Sequence, residues 1–200
     1  MKKRIAGIDY SLTSPAICIW YEHDGLFNFD GCDLHYLESL QRRKRTTRGR
    51  HPGHGILNLN TSVYPEWKSE EQRHDLLSDW AMAIITGSEM VFLEGYAFAT
   101  VGKSYVRSVA ENTGLLKHKM YKNGLDFTLV PPTVIKKYAT GKGNANKELM
   151  YENFNSELLT PENMQGKITP KSKKLTNPVT DLVDSYFICK YGWEDFCVCQ

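Results

Sequence analysis

The spacing of apolar residues changes several times along the chain, and each change marks an element. The run "RIAGIDYS" is short, apolar and ends in polar residues. "PAICIWYE" alternates moderately, and "LFNFDGCDL" follows a glycine. These predict three strands joined by tight connections and paired antiparallel. "SEEQRHDLLSDWAMAIITG" then switches to a helical period, with Leu76, Leu77, Trp80, Ala81 and Ile84 in step. Ser69 suits its N-cap, Glu70 and Glu71 its first turn, and Gly87 its stop. "EMVFLEG" predicts a buried strand, and "SYVRSVAENTGLLKHKMYKNG" a helix that either contains Gly114 or breaks there. "LDFTLV" predicts another strand, and Pro131-Pro132 opens a short helix over "TVIKKYA". "GKGNANKELMYENF" is a glycine loop running into a helix. "LTPENMQGKITPKSKK" is irregular, and "DLVDSYFICKYG" closes the chain as a helix. This order predicts an α/β domain with a mixed sheet, three antiparallel strands first, then alternating helices and strands.

Composition narrows this picture. A chain of 200 residues suits a single domain, 1–200, with one core. No apolar run approaches the roughly 20 residues a bilayer span needs. The start "MKKRIAGIDYSLTSPAICIW" has a basic then apolar character, but Asp9 breaks the run, which argues against a signal peptide. Five irregularly spaced cysteines suit a reducing cytoplasm better than a disulfide framework.

The net charge of +2 hides a strong unevenness. Residues 40–55 carry six Arg or Lys and no acid, and this stretch has the character of a basic, glycine-containing insertion. Residues 100–150 carry nine against three acids, and 167–174 carry four lysines and none. Such patches suit a polyanion partner, although solvated surface explains many lysine-rich helices equally well.

The acids are harder to explain as surface. Asp181 and Asp184 stand three apart on an otherwise apolar helix and so share a face. Capping accounts for one acid in a first turn and less well for two. Asp9 ends the strand in "AGIDYS", and Glu94 ends the strand in "MVFLEG". A carboxylate at the tip of a buried strand is costly unless a cation or hydrogen bonds balance it. Four gathered carboxylates repel one another, and two hard divalent cations neutralise them. Oxygen-only ligands select Mg²⁺ or Mn²⁺ over zinc.

The chain resembles the RuvC-type Holliday junction resolvases, especially their bacteriophage and viral relatives, within the RNase H-like superfamily. "GIDYSLTSPAICI" looks like the family's first strand, hairpin and opening aspartate, and "VFLEGYAF" like its second motif. "VPPTVIKKYATGKGNANKELM" is similar to its P-x-x-v-K and G-x-G-x-A-x-K pattern, and "DLVDSYFI" to its final D-x-x-D-A helix. The matched stretches cover roughly 4–20, 90–155 and 178–191.

The resemblance implies an RNase H-like fold and a metal-dependent endodeoxyribonuclease that resolves four-way junctions by paired symmetric nicks. Asp9, Glu94, Asp181 and Asp184 would hold two Mg²⁺ ions, with Mn²⁺ able to substitute. Lys136 and Lys147 would act at the scissile phosphate. Tyr96 and Phe98 are candidates for an aromatic wedge at the junction centre, with Phe98 preferred. Lys103, Arg107, Lys142, Arg42, Arg43, Lys44 and Arg45 are expected to contact DNA. A homodimer is the natural assembly, since two symmetric nicks need two sites. No nucleotide cofactor is expected, because G-x-x-x-x-G-K-[ST] is absent.

The sequence also departs from the family. Residues 33–65 read as a longer, more basic insertion, and position 185 is Ser in place of Ala. Cys197 and Cys199 with His51 or His54 make a weak zinc pattern, since no second C-x-x-C exists. Three rival readings stay open: a broader nuclease of forks, flaps and Y-junctions in phage genome processing, a non-catalytic DNA-binding module, and an RNA-directed RNase H.

Overall fold

The computed structural model describes residues 3–22, 25–38, 58–95, 103–158, 164, 168, 172 and 174–198. Its centre is a six-stranded sheet. The strands are β1 (Arg4–Asp9), β2 (Ala16–Tyr21), β3 (Cys32–Glu38), β4 (Asn58–Val63), β5 (Met90–Glu94) and β6 (Phe127–Val130). Their order across the sheet is β4-β3-β2-β1-β5-β6. β1 and β2 pair antiparallel, as do β2 and β3, whereas β4, β5 and β6 join their neighbours parallel. Among the described residues the longer helices are α1 (Glu70–Ile85), α2 (Lys103–Lys122), α3 (Pro132–Thr140), α4 (Lys147–Glu157) and α5 (Val179–Val198). This is the expected mixed α/β sheet of RNase H-like type.

β1 is central and nearly all buried, because both faces are covered. Ile5 packs into one core with Phe92, Leu182, Tyr186 and Cys189. Ala6 and Ile8 pack into the other with Leu77, Ala81, Leu116 and Met120. So α5 covers one face of the sheet, and α1 with α2 covers the other.

Gly7 sets how closely α5 lies on β1. A Cβ there would stand 2.2 Å from the backbone nitrogen of Cys189, so only glycine fits. Gly192 repeats the device one strand over, where a Cβ would fall 2.2 Å from the Phe92 ring.

Two readings from the sequence need correction. The third strand does not run through "LFNFDG". Asn28 caps a 3-10 turn over Phe29–Gly31 by accepting from the Gly31 amide at 2.8 Å, and the strand starts at Cys32. Residues 33–65 are also not one insertion, since they contain most of β3 and all of β4. The basic stretch at 40–55 falls wholly in 39–57, outside the described residues. α2 runs through Gly114 without a break.

Candidate active site

The strands bring the first two acids together. The β1–β5 register pairs Ile8 with Leu93, so Asp9 and Glu94 stand one place further on, at the C-terminal ends of adjacent parallel strands. Alternation along both strands turns them to the face that α5 covers.

The direction of α5 brings the other two. Cys189 Sγ donates to the Ile5 carbonyl at 3.6 Å, and Trp193 packs on Trp20 with ring centroids 4.4 Å apart. Trp20 is the register partner of Ile5, whereas Cys189 overlies Gly7 two residues further along β1, so the helix runs opposite to β1. Two strand residues from Gly7 to Asp9 cover about 6.6 Å. Five helical residues from Cys189 back to Asp184 cover about 7.5 Å. The first turns of α5 therefore lie at the tip of β1.

The electrostatics reflect this gathering. Asp9 and Asp181 are buried, and Glu94 and Asp184 are half-buried. Burial drives the Asp9 carboxyl well above its usual range, and repulsion from Glu94, Asp181 and Asp184 adds to it, with Lys147 opposing. Glu94 rises to about 7, by burial first and Asp184 second, against the pull of Lys136. Asp184 also rises to about 7, by burial and the charge of Asp181, with Lys147 and Lys136 opposing. Asp181 rises to about 6 by burial, held down by a hydrogen bond from Ser14 and by Lys147.

Both motif lysines lie near enough for the cluster to feel their charge. Lys136 lies on α3, which starts where β6 ends beside β5. Lys147 is the first residue of α4, after the N-cap Asn146, whose side chain accepts from Leu149 N at 2.9 Å. The preceding glycines fit tight geometry. Gly141 takes the left-handed conformation, φ 75°, that ends α3. A Cβ at Gly143 would press on the Thr133 carbonyl at 3.3 Å.

The Lys147 ammonium donates to Thr180 Oγ1 at 3.2 Å and, at the longer distance of 3.5 Å, to Asn177 Oδ1. Thr180 Oγ1 lies 2.8 Å from Asn177 Oδ1 and 3.2 Å from Asp181 Oδ1. Sequence reasoning missed Ser14, Asn177 and Thr180. Their only trace is a hydroxyl-rich turn, "SLTS", and a threonine before D-x-x-D.

The turn that carries Ser14 is pinned from outside. Ser14 N donates to Ser11 Oγ at 3.0 Å. The Leu12 carbonyl accepts from Arg73 Nη2 at 3.0 Å and from the Tyr64 hydroxyl. α1 and the segment after β4 thus hold the β1–β2 turn over the acids.

The other predicted residues are less central. Lys142 is exposed on the α3–α4 loop and lines an open hollow with Asn144, Asn146, Glu148 and Glu152. Arg107 is exposed on α2 and pairs with Glu111 at 3.7 Å. Lys103 begins α2. Tyr96, Phe98, Arg42, Arg43, Lys44 and Arg45 lie outside the described residues, as do His51, His54 and Cys199.

The donor set fits hard divalent cations. It is all oxygen, and Asp181 Oδ2 is buried without a hydrogen-bond partner among the described residues. Among those residues, however, no group of three or more His, Cys, Asp or Glu side chains is placed to hold a metal ion. No helix among them is long and apolar enough to cross a membrane.

No protein-family model matches the chain. No curated protein matches it either. Solved structures do. RuvC of Thermus thermophilus superposes with a TM-score of 0.56 at 13% identity, over 98% of this chain and 96% of that one. The same organism's RuvC in complex with a Holliday junction substrate gives 0.56 at 10% identity, over 98% and 96%. The yeast mitochondrial Holliday junction resolvase gives 0.50 at 10% identity, over 98% and 86%. At identities this low the likeness is one of architecture, and the chain has a RuvC-like, Holliday-junction-resolvase-like fold.

Proposed function

We propose that this protein is a Mg²⁺-dependent, structure-selective endodeoxyribonuclease that resolves four-way DNA junctions by paired symmetric nicks, acting as a two-fold homodimer. The observation that carries the reading is the convergence of four carboxylates and two lysines where the first turns of α5 meet the tips of β1 and β5. The motif order supports a place in the bacteriophage or viral branch of the resolvases.

Asp9, Glu94, Asp181 and Asp184 would hold two Mg²⁺ ions. When bound, the ions supply Lewis-acid activation and charge neutralisation around the reacting phosphate. The chain's own groups do the rest. The strand tips and the first turns of α5 would hold the carboxylates, and with them any bound ions, in one place, so that an incoming phosphate would meet a fixed geometry. Lys147 and Lys136 offset the charge that builds on the phosphate oxygens. Water attacks phosphorus in line and the 3′-oxygen leaves. Lys142, Arg107, Lys103 and the basic segment at 42–45 contribute phosphate contacts that position DNA, and Phe98 or Tyr96 stacks on bases at the branch point.

The test is incubation with synthetic four-way junctions, forks, flaps and RNA–DNA hybrids in Mg²⁺. Symmetric nicks confined to the four-way junction support the proposal. Equal cutting of forks and flaps makes the protein a general branched-DNA nuclease. Cutting of the hybrid makes it an RNase H, and binding without cutting a DNA-binding module.

A further inference from the structure

We propose that Thr180, together with Asn177, is a positioning residue that holds the ammonium of Lys147 at the carboxylate cluster. The inference deepens the nuclease reading and rests on it for its kinetic consequence, though not for its geometry.

A free lysine tip samples many rotamers on its four-carbon stem. The backbone of Lys147 is fixed by its place at the start of α4, behind a capped turn. Its tip is fixed by a separate element. Thr180 is the second residue of α5, and Asn177 lies just before that helix. The two acceptors stand 3.2 Å and 3.5 Å from Nζ.

The hydroxyl has one proton to give. Its 2.8 Å approach to Asn177 Oδ1 is shorter than its 3.2 Å approach to Asp181 Oδ1, so it donates to Asn177 and presents its lone pair to Lys147. Both groups then accept from the ammonium, and Lys147 keeps an N–H for the cluster. Thr180 is 4% exposed, so water does not replace its hydroxyl if it is lost. The clip ties the glycine-loop motif to the D-x-x-D helix through side chains rather than through the chain.

Thr180→Val keeps the shape and removes the hydroxyl. Under single turnover at saturating protein, it should slow nicking on the order of tenfold, in line with a lost hydrogen bond to a charged group. Junction affinity should stay unchanged, and Thr180→Ser should restore the rate. In a Lys147→Ala background, Thr180→Val should cost nothing more, because the lysine it serves is gone. Equal losses in both backgrounds overturn the proposal. If Thr180→Val does not fold, Thr180→Ala gives the same comparison.

A second readout needs no DNA. In protein with ¹⁵N-labelled lysine, the held ammonium should exchange slowly enough to give a resolved signal, assigned by its loss in Lys147→Ala. It should vanish in Thr180→Val and persist in Thr180→Ser. A signal that persists in Thr180→Val overturns the clip. If wild-type protein cuts no branched DNA, the nuclease reading fails, and this spectrum still decides the clip.

Discussion

At the scale of single residues, the site combines groups that suit chemistry and weaken the fold. Asp9 is buried among three other carboxylates, so its ionised form is opposed on every side except that of Lys147. Asp9→Asn removes a charge and keeps the shape. Two opposite effects follow. Nicking should be abolished while junction binding persists, because phosphate contacts elsewhere provide binding. The metal-free variant should melt above wild type at pH 8, by about 2–4 °C for each kcal/mol of repulsion relieved. A nicking assay and a thermal melt check the two halves, and a variant that nicks at the wild-type rate would rule out Asp9 as a ligand. The acids stood out in the sequence because strand tips and an i, i+3 pair are patterns, but only the family resemblance implied that the four belong together. Ser14, Asn177 and Thr180 did not stand out, because hydroxyls and amides are common in turns and nothing local says that they meet Asp181 or the Lys147 ammonium.

At the scale of elements, glycine decides how the acids meet. At Gly7, an added methyl would meet the Cys189 backbone at 2.2 Å, and a helix backbone cannot rotate aside as a side chain can. Gly7→Ala should therefore lift α5 and cost about 1–3 kcal/mol or more. It should also shift Asp181 and Asp184 relative to Asp9, so cleavage falls more than the stability loss explains. Gly114→Ala is the control. It lies inside α2 with nothing within 4 Å of the added carbon and should stabilise by about 0.5–1 kcal/mol. Thermal melts with single-turnover rates separate the two, and equal effects would remove Gly7 from its special place.

The central strands and their helices were legible because continuous apolar runs and capped periods are strong signals. The third strand was misplaced because Phe27 and Phe29 have strand-like spacing. They instead cover the core, Phe27 stacking on Trp20 at 5.3 Å and Phe29 meeting Phe154 edge to face at 5.4 Å. β4 was invisible because "NLNTSV" is a polar edge strand whose structure comes from pairing with β3.

At the scale of the whole molecule, the carboxylates couple stability to pH. Folding raises their pKa values and so makes them weaker acids, and the folded state binds more protons than the unfolded one between the ordinary carboxylate range, roughly pH 4, and about pH 7. Stability then falls as pH rises through this window, the reverse of a salt-bridged acid. Metal-free protein should melt lower at pH 8 than at pH 5, and Mg²⁺ should recover the difference at pH 8 while doing little at pH 5. A melting curve that rises with pH in EDTA would contradict the buried cluster.

The repulsion stored at the strand tips thereby becomes a gauge. Any ion that settles among Asp9, Glu94, Asp181 and Asp184 must report itself as heat resistance, in proportion to how well it is held. A titration of melting temperature against Mg²⁺, Mn²⁺, Ca²⁺ and Zn²⁺ would rank the site's preferences with no substrate present. Hardness and size could thus be ordered before a single strand of DNA is cut.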